Sequence, residues 1–271
     1  MKTLDYSKVE ARIIVWLKEY IKKTNAKAFI IGVSGGVDSA VVSTLAAKTG
    51  LPLFAMQMPI RQRTDEVNRA TSHIIWLMEN YPNVQTINSD LTATFDAFLN
   101  GVEKTDVKEL QHMAEANTRS RLRMVDLYYH AAIENCLVLG TGNKVEDFGI
   151  GFFSKYGDGG IDLSPIGDLM KSEVRALGKY MGVNLEIINA IPSDGLFDDG
   201  RGDELQIGAS YDELEWAMEY VENCPRHFAY SPEDLELLSK RQRDVLLIYK
   251  TRHFTNAHKM EMPPICKINI L

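Results

Sequence analysis

The sequence predicts an α/β fold in which a doubly wound, mainly parallel five-stranded sheet carries helices on both faces. Apolar strand-like segments alternate with segments of helical periodicity, and strands that are joined through helices pair in parallel. A glycine-rich turn separates the first buried strand from the helix that follows it. The chain has 271 residues, of which 45% are apolar, and this is enough to bury a large core.

The first half of the chain supplies four of the predicted strands. Apolar residues at four-residue spacing predict a helix from Tyr6 to about Lys23, and the apolar run AFIIGV predicts a buried strand at Ala28–Val33. The helix after SGGVDS is closed by Gly50, which suits a helix C-cap. Further predictions, in chain order, are a strand at 53–58, a helix at 64–80 that opens on a Thr-Asp-Glu cap, a strand at 84–87, helices at 91–100 and 107–133, and a strand at 136–140.

The second half contains segments that are typical of binding-site loops. Glycine, aspartate and lysine alternate after Phe152, ahead of a helix at about 172–181. The stretch 192–204 is acidic, rich in glycine and without periodicity, so we expect a mobile loop that orders with a ligand or partner. Helices are predicted at 211–222 and 232–249, before an irregular tail at 251–271. We expect one domain over 1–271, with a core at about 25–190, the mobile loop at about 192–206, and C-terminal helices and tail at 207–271.

Composition and charge argue against several classes of protein. The net charge is −7, from 30 basic and 37 acidic residues, so broad binding to nucleic acid or to a membrane surface is not expected. The cysteines Cys136, Cys224 and Cys266 are too widely spaced for a disulfide framework or a CxxC metal site. The sequence shows no bilayer-length apolar run and no signal-peptide pattern at its N-terminus, so we expect a cytoplasmic protein.

The segment SGGVDS, Ser34–Ser39, has the features of a phosphate site. It follows the first strand, where the next helix presents free N–H groups and the positive end of its dipole. Gly35 and Gly36 allow a phosphate to approach the backbone, the serines can donate hydrogen bonds, and Asp38 can hold a magnesium ion. The alternative is a tight turn in which serine and aspartate cap the helix. The absence of GxxxxGK[ST] and GxGxxG patterns argues against a kinase, a GTPase or a Rossmann dehydrogenase.

SGGVDS after a buried strand resembles the PP-loop of the ATP pyrophosphatases, which cleave ATP between its α and β phosphates and adenylate a substrate. Four later segments resemble the NAD synthetases in order and approximate spacing: RSRLRM at 119–124, GTGNKVE at 140–146, FFSKYGDGGIDLSPIGDLMKSEVR at 152–175, and AHKM at 257–260. KYGDGG together with a late HK pair is more specific than the PP-loop. The resemblance covers most of the chain and implies an adenine nucleotide alpha hydrolase-like fold with extra C-terminal helices.

The resemblance implies roles for individual residues. Those implied to contact ATP are Gly32, Val33, Ser34, Gly35, Gly36, Val37, Asp38, Ser39, Thr141, Lys171 and Ser193. Those implied to contact deamido-NAD are Arg121, Lys155, Asp162, His258 and Lys259. Asp38 and Glu146 would bind Mg²⁺, and the catalytic residues would be Asp38, Lys171 and Asp158. Asp158 has two open roles: it helps to deprotonate ammonium or to orient the nucleophile, or it stabilises the KYGDGG turn.

Several of these residues also have an ordinary structural interpretation. From the residues alone, Glu146 could be a solvated loop carboxylate and Lys171 the first residue of a helix. His258 and Lys259 would by themselves be assigned to the surface. The family resemblance favours function for Glu146 and Lys171. The pairing with KYGDGG favours function for His258 and Lys259.

The implied activity is that of a ligase that forms a carbon–nitrogen bond. It would amidate deamido-NAD to NAD with ammonia and ATP, through an adenylated intermediate, and release AMP and pyrophosphate. The resemblance also implies Mg²⁺ and a homodimer, and direct use of ammonia is expected because the synthetase segments leave no room for an amidase domain. Two alternatives stay open. A tRNA sulfur-transfer enzyme would be expected to carry catalytic cysteines and a basic face, and a nucleotide sensor would not need Asp38, Glu146 and Lys171 intact.

Overall fold

A parallel sheet lies at the centre of the protein, in a computed structural model that describes residues 4–193, 195–196, 202–224, 228 and 235–268. Its strands are β1 (Ala28–Gly32), β2 (Leu53–Gln57), β3 (Val84–Asn88) and β4 (Cys136–Val138), in the order β3-β2-β1-β4. All neighbouring pairs are parallel. The predicted parallel α/β fold is therefore confirmed, and each strand begins at its predicted residue.

The central strand β1 is apolar because both of its faces are covered. Side chains alternate between the two faces of a strand. Phe29 and Ile31 belong to the larger core on one face of the sheet, whereas Ile30 packs with Met56 and Val138 on the other. A strand that is buried on both faces needs a continuous apolar run, and AFIIGV supplies one.

The described residues form four strands, although five were predicted; the sequence located only four, and the structure adds one isolated bridge beside the end of β4. Within the described residues, Leu163 pairs in parallel with Leu139, but this bridge does not extend into a strand. Pro165 follows two residues later, and proline lacks the N–H group that a longer ladder would use. The sheet therefore has one strand fewer than predicted.

Helices cover both faces of the sheet and continue after it. Most of those predicted begin and end within about a residue of their predicted bounds. None of the described helices is long and apolar enough to cross a lipid bilayer. The helical elements are α1 (Tyr6–Lys22), α2 (Val37–Lys48), α3 (Thr64–Asn80), α4 (Thr92–Gly101), α5 (Lys108–Glu134), a π-helical turn (Val145–Ile150), α6 (Lys171–Tyr180), α7 (Leu185–Ile188), α8 (Asp203–Ile207), α9 (Tyr211–Glu222) and α10 (Lys240–Met260).

The predicted closure of α2 is confirmed, whereas the predicted cap at the start of α3 is wrong. Gly50 follows α2 with a φ of 73°, a left-handed conformation that favours glycine, so the predicted helix closure is confirmed. The Thr-Asp-Glu cap is wrong, because Thr64 is itself the first residue of α3 and no side chain caps this helix. Asp65 and Glu66 lie instead in the first turn, where carboxylates interact favourably with the helix dipole.

Two predicted loops contain helical structure. The segment TGNKVED after β4 leads into the π-helical turn, which occupies 145–150. Part of the predicted mobile loop at 192–206 forms the start of α8. Residues 194 and 197–201 of that loop lie outside the described residues.

Residues 235–236 are helical, as predicted for 232–249, but 237–239 are not; the last helix, α10, begins at Lys240 and ends later than predicted. Of the predicted helix at 232–249, residues 232–234 lie outside the described residues, and α10 itself begins after the capping residue Ser239. It extends to Met260, so the predicted irregular tail is wrong over 251–260. Polar contacts hold this last part: Asn256 donates to the carbonyl oxygen of Ile150 at 2.8 Å and Lys259 to that of Gly151 at 2.9 Å. Such contacts leave no apolar periodicity in the sequence.

A second core joins α9, α10 and the π-helical turn. Its buried side chains come from all three elements and are packed separately from the core that covers the sheet. The π-helical turn is therefore held between two helices, which positions the residues that follow β4. The cluster consists of Val145, Ile150, Met170, Ile207, Ala209, Tyr211, Leu214, Ala217, Met218, Val221, Val245, Leu246 and Tyr249.

A buried histidine joins α3 to α2 behind the PP-loop. His73 is 2% exposed, and its Nε2 lies 2.9 Å from the hydroxyl of Ser43. Burial lowers the pKa of His73 to about 4. The folded protein therefore keeps this imidazole neutral at pH values where the unfolded chain would protonate it.

We expect acid to destabilise the fold through His73. Because the pKa is lower in the folded state, its contribution is complete above pH ~6.5 and falls by about 3 kcal/mol as the pH drops towards 4. Urea unfolding between pH 7 and pH 4 should show a smaller loss for His73→Asn than for the wild type. Equal losses in the two proteins would contradict the assignment.

Candidate active site

A cavity lies at the carboxyl ends of the parallel strands, the place expected for a ligand in such a sheet. It encloses about 260 Å³. Every residue of the PP-loop segment 32–39 lines it, as do Thr141, Glu146, Lys171 and Ser193. The structure thus brings together all the residues that the sequence assigns to ATP and to metal.

Hydrogen bonds within the PP-loop give it a defined shape. The hydroxyl oxygens of Ser34 and Ser39 lie 3.1 Å apart, and the N–H of Gly36 donates to the Ser34 hydroxyl at 3.2 Å. Gly35 has a φ of 86°, and a Cβ at this position would lie 2.7 Å from the carbonyl oxygen of Glu66. Only glycine fits this position, because other residues disfavour this φ and their Cβ would collide with that carbonyl oxygen.

The helix-capping alternative for SGGVDS does not match the structure. The N-cap of α2 is Gly36, which makes no side-chain capping bond. Ser39 lies in the first turn and donates back to the carbonyl oxygen of Gly36 at 3.0 Å. Asp38 contacts Lys171 instead of capping the helix. The positive end of the α2 dipole therefore faces a cavity without a side-chain cap, as an anion site requires.

A buried ion triad lies beside the PP-loop. The Lys171 ammonium is 2.6 Å from Asp38 Oδ2 and 2.9 Å from Glu146 Oε1, and its side chain is 4% exposed. Asn143 links the two acids, because its amide donates to Asp38 at 3.3 Å and its oxygen accepts from the Glu146 N–H at 3.2 Å. The three charged residues come from the first turn of α2, the π-helical turn and the first residue of α6.

Lys171 and the two carboxylates stabilise each other's charged forms. Burial raises the pKa of Asp38, although Lys171 opposes this effect. Burial acts in the same direction on Glu146, but Lys171 and a hydrogen bond from Tyr211 outweigh it and lower the pKa of Glu146. Burial alone would lower the pKa of Lys171, but the two carboxylates raise it. The lysine therefore stays protonated, and one positive charge faces two acidic groups.

Two residues of α9, Tyr211 and Glu215, hold the triad in place, and no sequence pattern pointed to them. The Tyr211 ring lies 4.7 Å from the Lys171 ammonium, and its hydroxyl donates to Glu146 Oε1 at 2.5 Å. The same hydroxyl is 3.1 Å from Asp203 Oδ2. Glu215 accepts from both the N–H and the hydroxyl of Ser172, which fixes α6 to α9. No local sequence pattern signals these contacts, because the partners are far apart in the chain.

Four further carboxylates line the cavity, those of Glu66, Asp147, Asp158 and Asp203. Asp158 accepts from the Ser120 hydroxyl at 2.6 Å and from the Ser154 N–H at 2.9 Å, so it holds the KYGDGG turn against α5. Burial raises the pKa of Asp158. Burial raises the pKa of Asp147 well above its usual range, and the charges of Glu146 and Asp158 add to this. Asp158 thus has its turn contacts and still faces the cavity.

None of the five residues assigned to deamido-NAD lines this cavity, and four of them form a separate group. Arg121 donates to the carbonyl oxygen of Lys155 at 3.2 Å, and Lys155 donates to that of His258 at 2.5 Å. Lys259 reaches back to the same segment through Gly151 and Phe153. The late HK pair and KYGDGG therefore meet in space.

Asp162 lies apart from these residues. Its Oδ2 accepts from the Val138 N–H at 2.8 Å and its Oδ1 from the Tyr128 hydroxyl at 2.9 Å. The Asp162 carboxylate thus connects the end of β4 to α5. The structure does not bring Asp162 into contact with the other four residues assigned to deamido-NAD.

The RSRLRM segment contributes more than Arg121. Arg123 lines the cavity and donates to the Gln62 side chain at 2.7 Å. Arg119 is 3% exposed and donates to the carbonyl oxygen of Leu196, which belongs to the cavity wall. The three arginines are two residues apart, and the sequence alone did not show which of them face the cavity.

Several known proteins are similar to this chain over nearly its whole length. The family model for NAD synthase matches residues 9–263. The NH(3)-dependent NAD(+) synthetase of Archaeoglobus fulgidus is 36% identical, over 99% of this chain and 100% of that protein. Two solved structures are also similar. The NMN synthetase of Francisella tularensis has a TM-score of 0.80 and 29% identity, covering 99% of this chain and 100% of that one. The NH3-dependent NAD synthetase of Campylobacter jejuni has a TM-score of 0.74 and 28% identity, covering 97% and 100%. The chain belongs to the NAD synthase family.

Proposed function

We propose that this chain amidates deamido-NAD to NAD with ammonia and ATP. The Lys171–Asp38–Glu146 triad beside a preformed PP-loop is the observation that carries the proposal. A carboxylate resists attack by ammonia, so the nicotinate oxygen first attacks the α-phosphorus of ATP and pyrophosphate leaves. Ammonia then attacks the acyl adenylate, and AMP leaves. Holding both substrates in neighbouring sites of one protein replaces a bimolecular encounter.

The assigned residues divide this work. The PP-loop and the start of α2 hold the phosphates, Thr141 and Ser193 contact ATP, and the Lys171 ammonium offsets charge on the leaving pyrophosphate. Arg121, Lys155, Asp162, His258 and Lys259 bind deamido-NAD. Asp158 orients ammonia or removes a proton from ammonium, in addition to its contacts in the turn.

Asp38 and Glu146 fit a magnesium ion. Both carboxylates lie within 2.9 Å of the Lys171 ammonium, so they are close enough to each other to share a cation with bound phosphates. Among the described residues, no group of three histidine, cysteine, aspartate or glutamate side chains is placed to hold a metal. Magnesium commonly uses one or two carboxylates together with substrate phosphates. A bound Mg²⁺ would offset the charge of the triphosphate.

The protein is proposed to be a cytoplasmic homodimer. Val125, Tyr129 and Ile133 on α5 are each more than half exposed and offer an apolar surface to a second copy.

Light scattering should therefore give about twice the 30.5 kDa mass of one chain. Burial of the exposed apolar side chains of α5 is the reason for this expectation. Tyr129→Glu should shift the mass towards that of one chain, whereas Lys8→Glu on the exposed side of α1 should not. A wild-type protein with the mass of one chain would contradict the dimer.

A second candidate product is NMN. The Francisella tularensis NMN synthetase is similar over nearly the whole chain, and the ATP site described here would serve either reaction. The two reactions differ in whether the acid substrate is a mononucleotide or a dinucleotide. Competition between the two acids in one assay separates them.

The first test is turnover of deamido-NAD with ATP and Mg²⁺, and with ammonium or glutamine as nitrogen donor. We expect NAD, AMP and pyrophosphate with ammonium and little product with glutamine. Asp38→Asn should lose turnover by at least about 100-fold, since it removes a charge from the triad. Asp5→Asn, which keeps a capping side chain at the start of α1, should retain wild-type turnover.

Each other outcome has a definite meaning. Product from glutamine would overturn the assignment of ammonia as donor. Faster amidation of nicotinate mononucleotide than of deamido-NAD would favour the NMN synthetase. Absence of turnover with both acids, in a protein that binds ATP, would favour a nucleotide sensor or another PP-loop substrate.

Removal of the lysine should destabilise the protein. Lys171→Met leaves two buried carboxylates without a counter-charge, which typically costs about 3–5 kcal/mol. Lys48→Met is the matched control, since its ion pair with Glu10 is partly exposed and is expected to cost about 1 kcal/mol or less. Urea unfolding without ATP or metal measures both. Equal losses would contradict the role of Lys171 as the counter-ion of the triad.

A further inference from the structure

Tyr211 is the one described phenol whose hydroxyl contacts a proposed metal ligand. Its O–H donates to Glu146 Oε1 at 2.5 Å, the same oxygen that lies 2.9 Å from Lys171 Nζ. The residue is 1% exposed, so water does not compete for this bond. Its ring also covers the lysine ammonium at 4.7 Å.

The geometry points to Tyr211 as a positioning residue that holds Glu146 in the orientation used for the metal–ATP complex. This inference rests on the proposed function. Glu146 is otherwise held by Lys171 through its side chain and by Asn143 through its backbone N–H. The tyrosine hydroxyl therefore adds a second side-chain anchor to the carboxylate. Partners of this kind orient metal-binding carboxylates in many proteins.

The ring and the hydroxyl of Tyr211 have different tasks. The ring packs in the second core with α10, and phenylalanine would fill the same space. The hydroxyl, by contrast, contacts two carboxylates, those of Glu146 and Asp203. A phenol has one proton, so it can donate to only one of them at a time. The shorter contact is to Glu146.

The position of Tyr211 in the chain gives the hydroxyl a wider effect. Tyr211 is the first residue of α9 and Asp203 the first residue of α8. The hydroxyl therefore lies where the starts of these two helices meet the carboxylate beside the PP-loop. Pro192 and Ser193, which precede α8 in the chain, line the cavity.

The test is the magnesium dependence of ATP binding, measured by calorimetry without the second substrate. In Tyr211→Phe, the Mg²⁺ concentration that gives half-maximal binding should rise about 10- to 100-fold. The affinity for ATP at saturating Mg²⁺ and the KM for deamido-NAD should stay within about two-fold, which a general loss of structure would not allow. Tyr180→Phe, at the exposed end of α6, is the control and should behave as wild type.

A double-mutant cycle tests whether Tyr211 acts through Glu146. In a Glu146→Gln background, adding Tyr211→Phe should cause little further change in the Mg²⁺ requirement. Additive effects, or an unchanged Mg²⁺ requirement in Tyr211→Phe, would overturn the inference. A Tyr211→Phe protein that fails to fold would assign the hydroxyl to the core and also overturn it.

The proposed function fails separately. A wild-type protein with magnesium-dependent ATP binding but no NAD or NMN formation would refute the proposed reaction and leave the positioning role intact. A wild-type protein that binds ATP without any magnesium dependence would overturn the positioning role alone.

Discussion

The burial of one ammonium group between two carboxylates is the constraint on which the site depends. Removing three charges from water costs several kcal/mol for each ion, and only close geometry recovers this. The helix α2, the π-helical turn and α6 must all be in place before Lys171 can reach Asp38 and Glu146. The triad therefore forms only in the correct tertiary fold.

The elements that surround the triad explain why the chain continues after its sheet. Glu215 on α9 accepts from Ser172 and so holds the start of α6, where Lys171 lies. The second core holds the π-helical turn between α9 and α10. The last turns of α10 then bind the carbonyl oxygens that follow this turn, through Asn256 and Lys259. The C-terminal helices thus support a site whose phosphate loop belongs to the N-terminal half.

Local patterns predicted the parts of the protein that local structure determines. The run AFIIGV followed by SGGVDS was sufficient for a buried strand, a turn and the start of a helix, because each depends on neighbouring residues. Tyr211 and Glu215 were not found, because their partners Glu146 and Ser172 lie more than 40 residues away. The extension of α10 was missed for a related reason, since polar contacts to carbonyl groups leave no periodic signal. A fifth strand was expected but could not be located in the sequence, and near Pro165 the structure has only an isolated bridge at Leu163.

The two groups of cationic residues differ in how much of their charge is already neutralised. Lys171 faces two carboxylates, so an arriving triphosphate meets little net positive charge from the triad itself. Lys155 and Lys259 donate instead to backbone carbonyl oxygens, which are neutral partners, and neither forms an ion pair with a carboxylate among the described residues. In the proposed reaction, an anionic dinucleotide can therefore exchange neutral partners for charged ones without a metal. The triphosphate needs an additional cation, and the two carboxylates beside the PP-loop are the groups that can bind it.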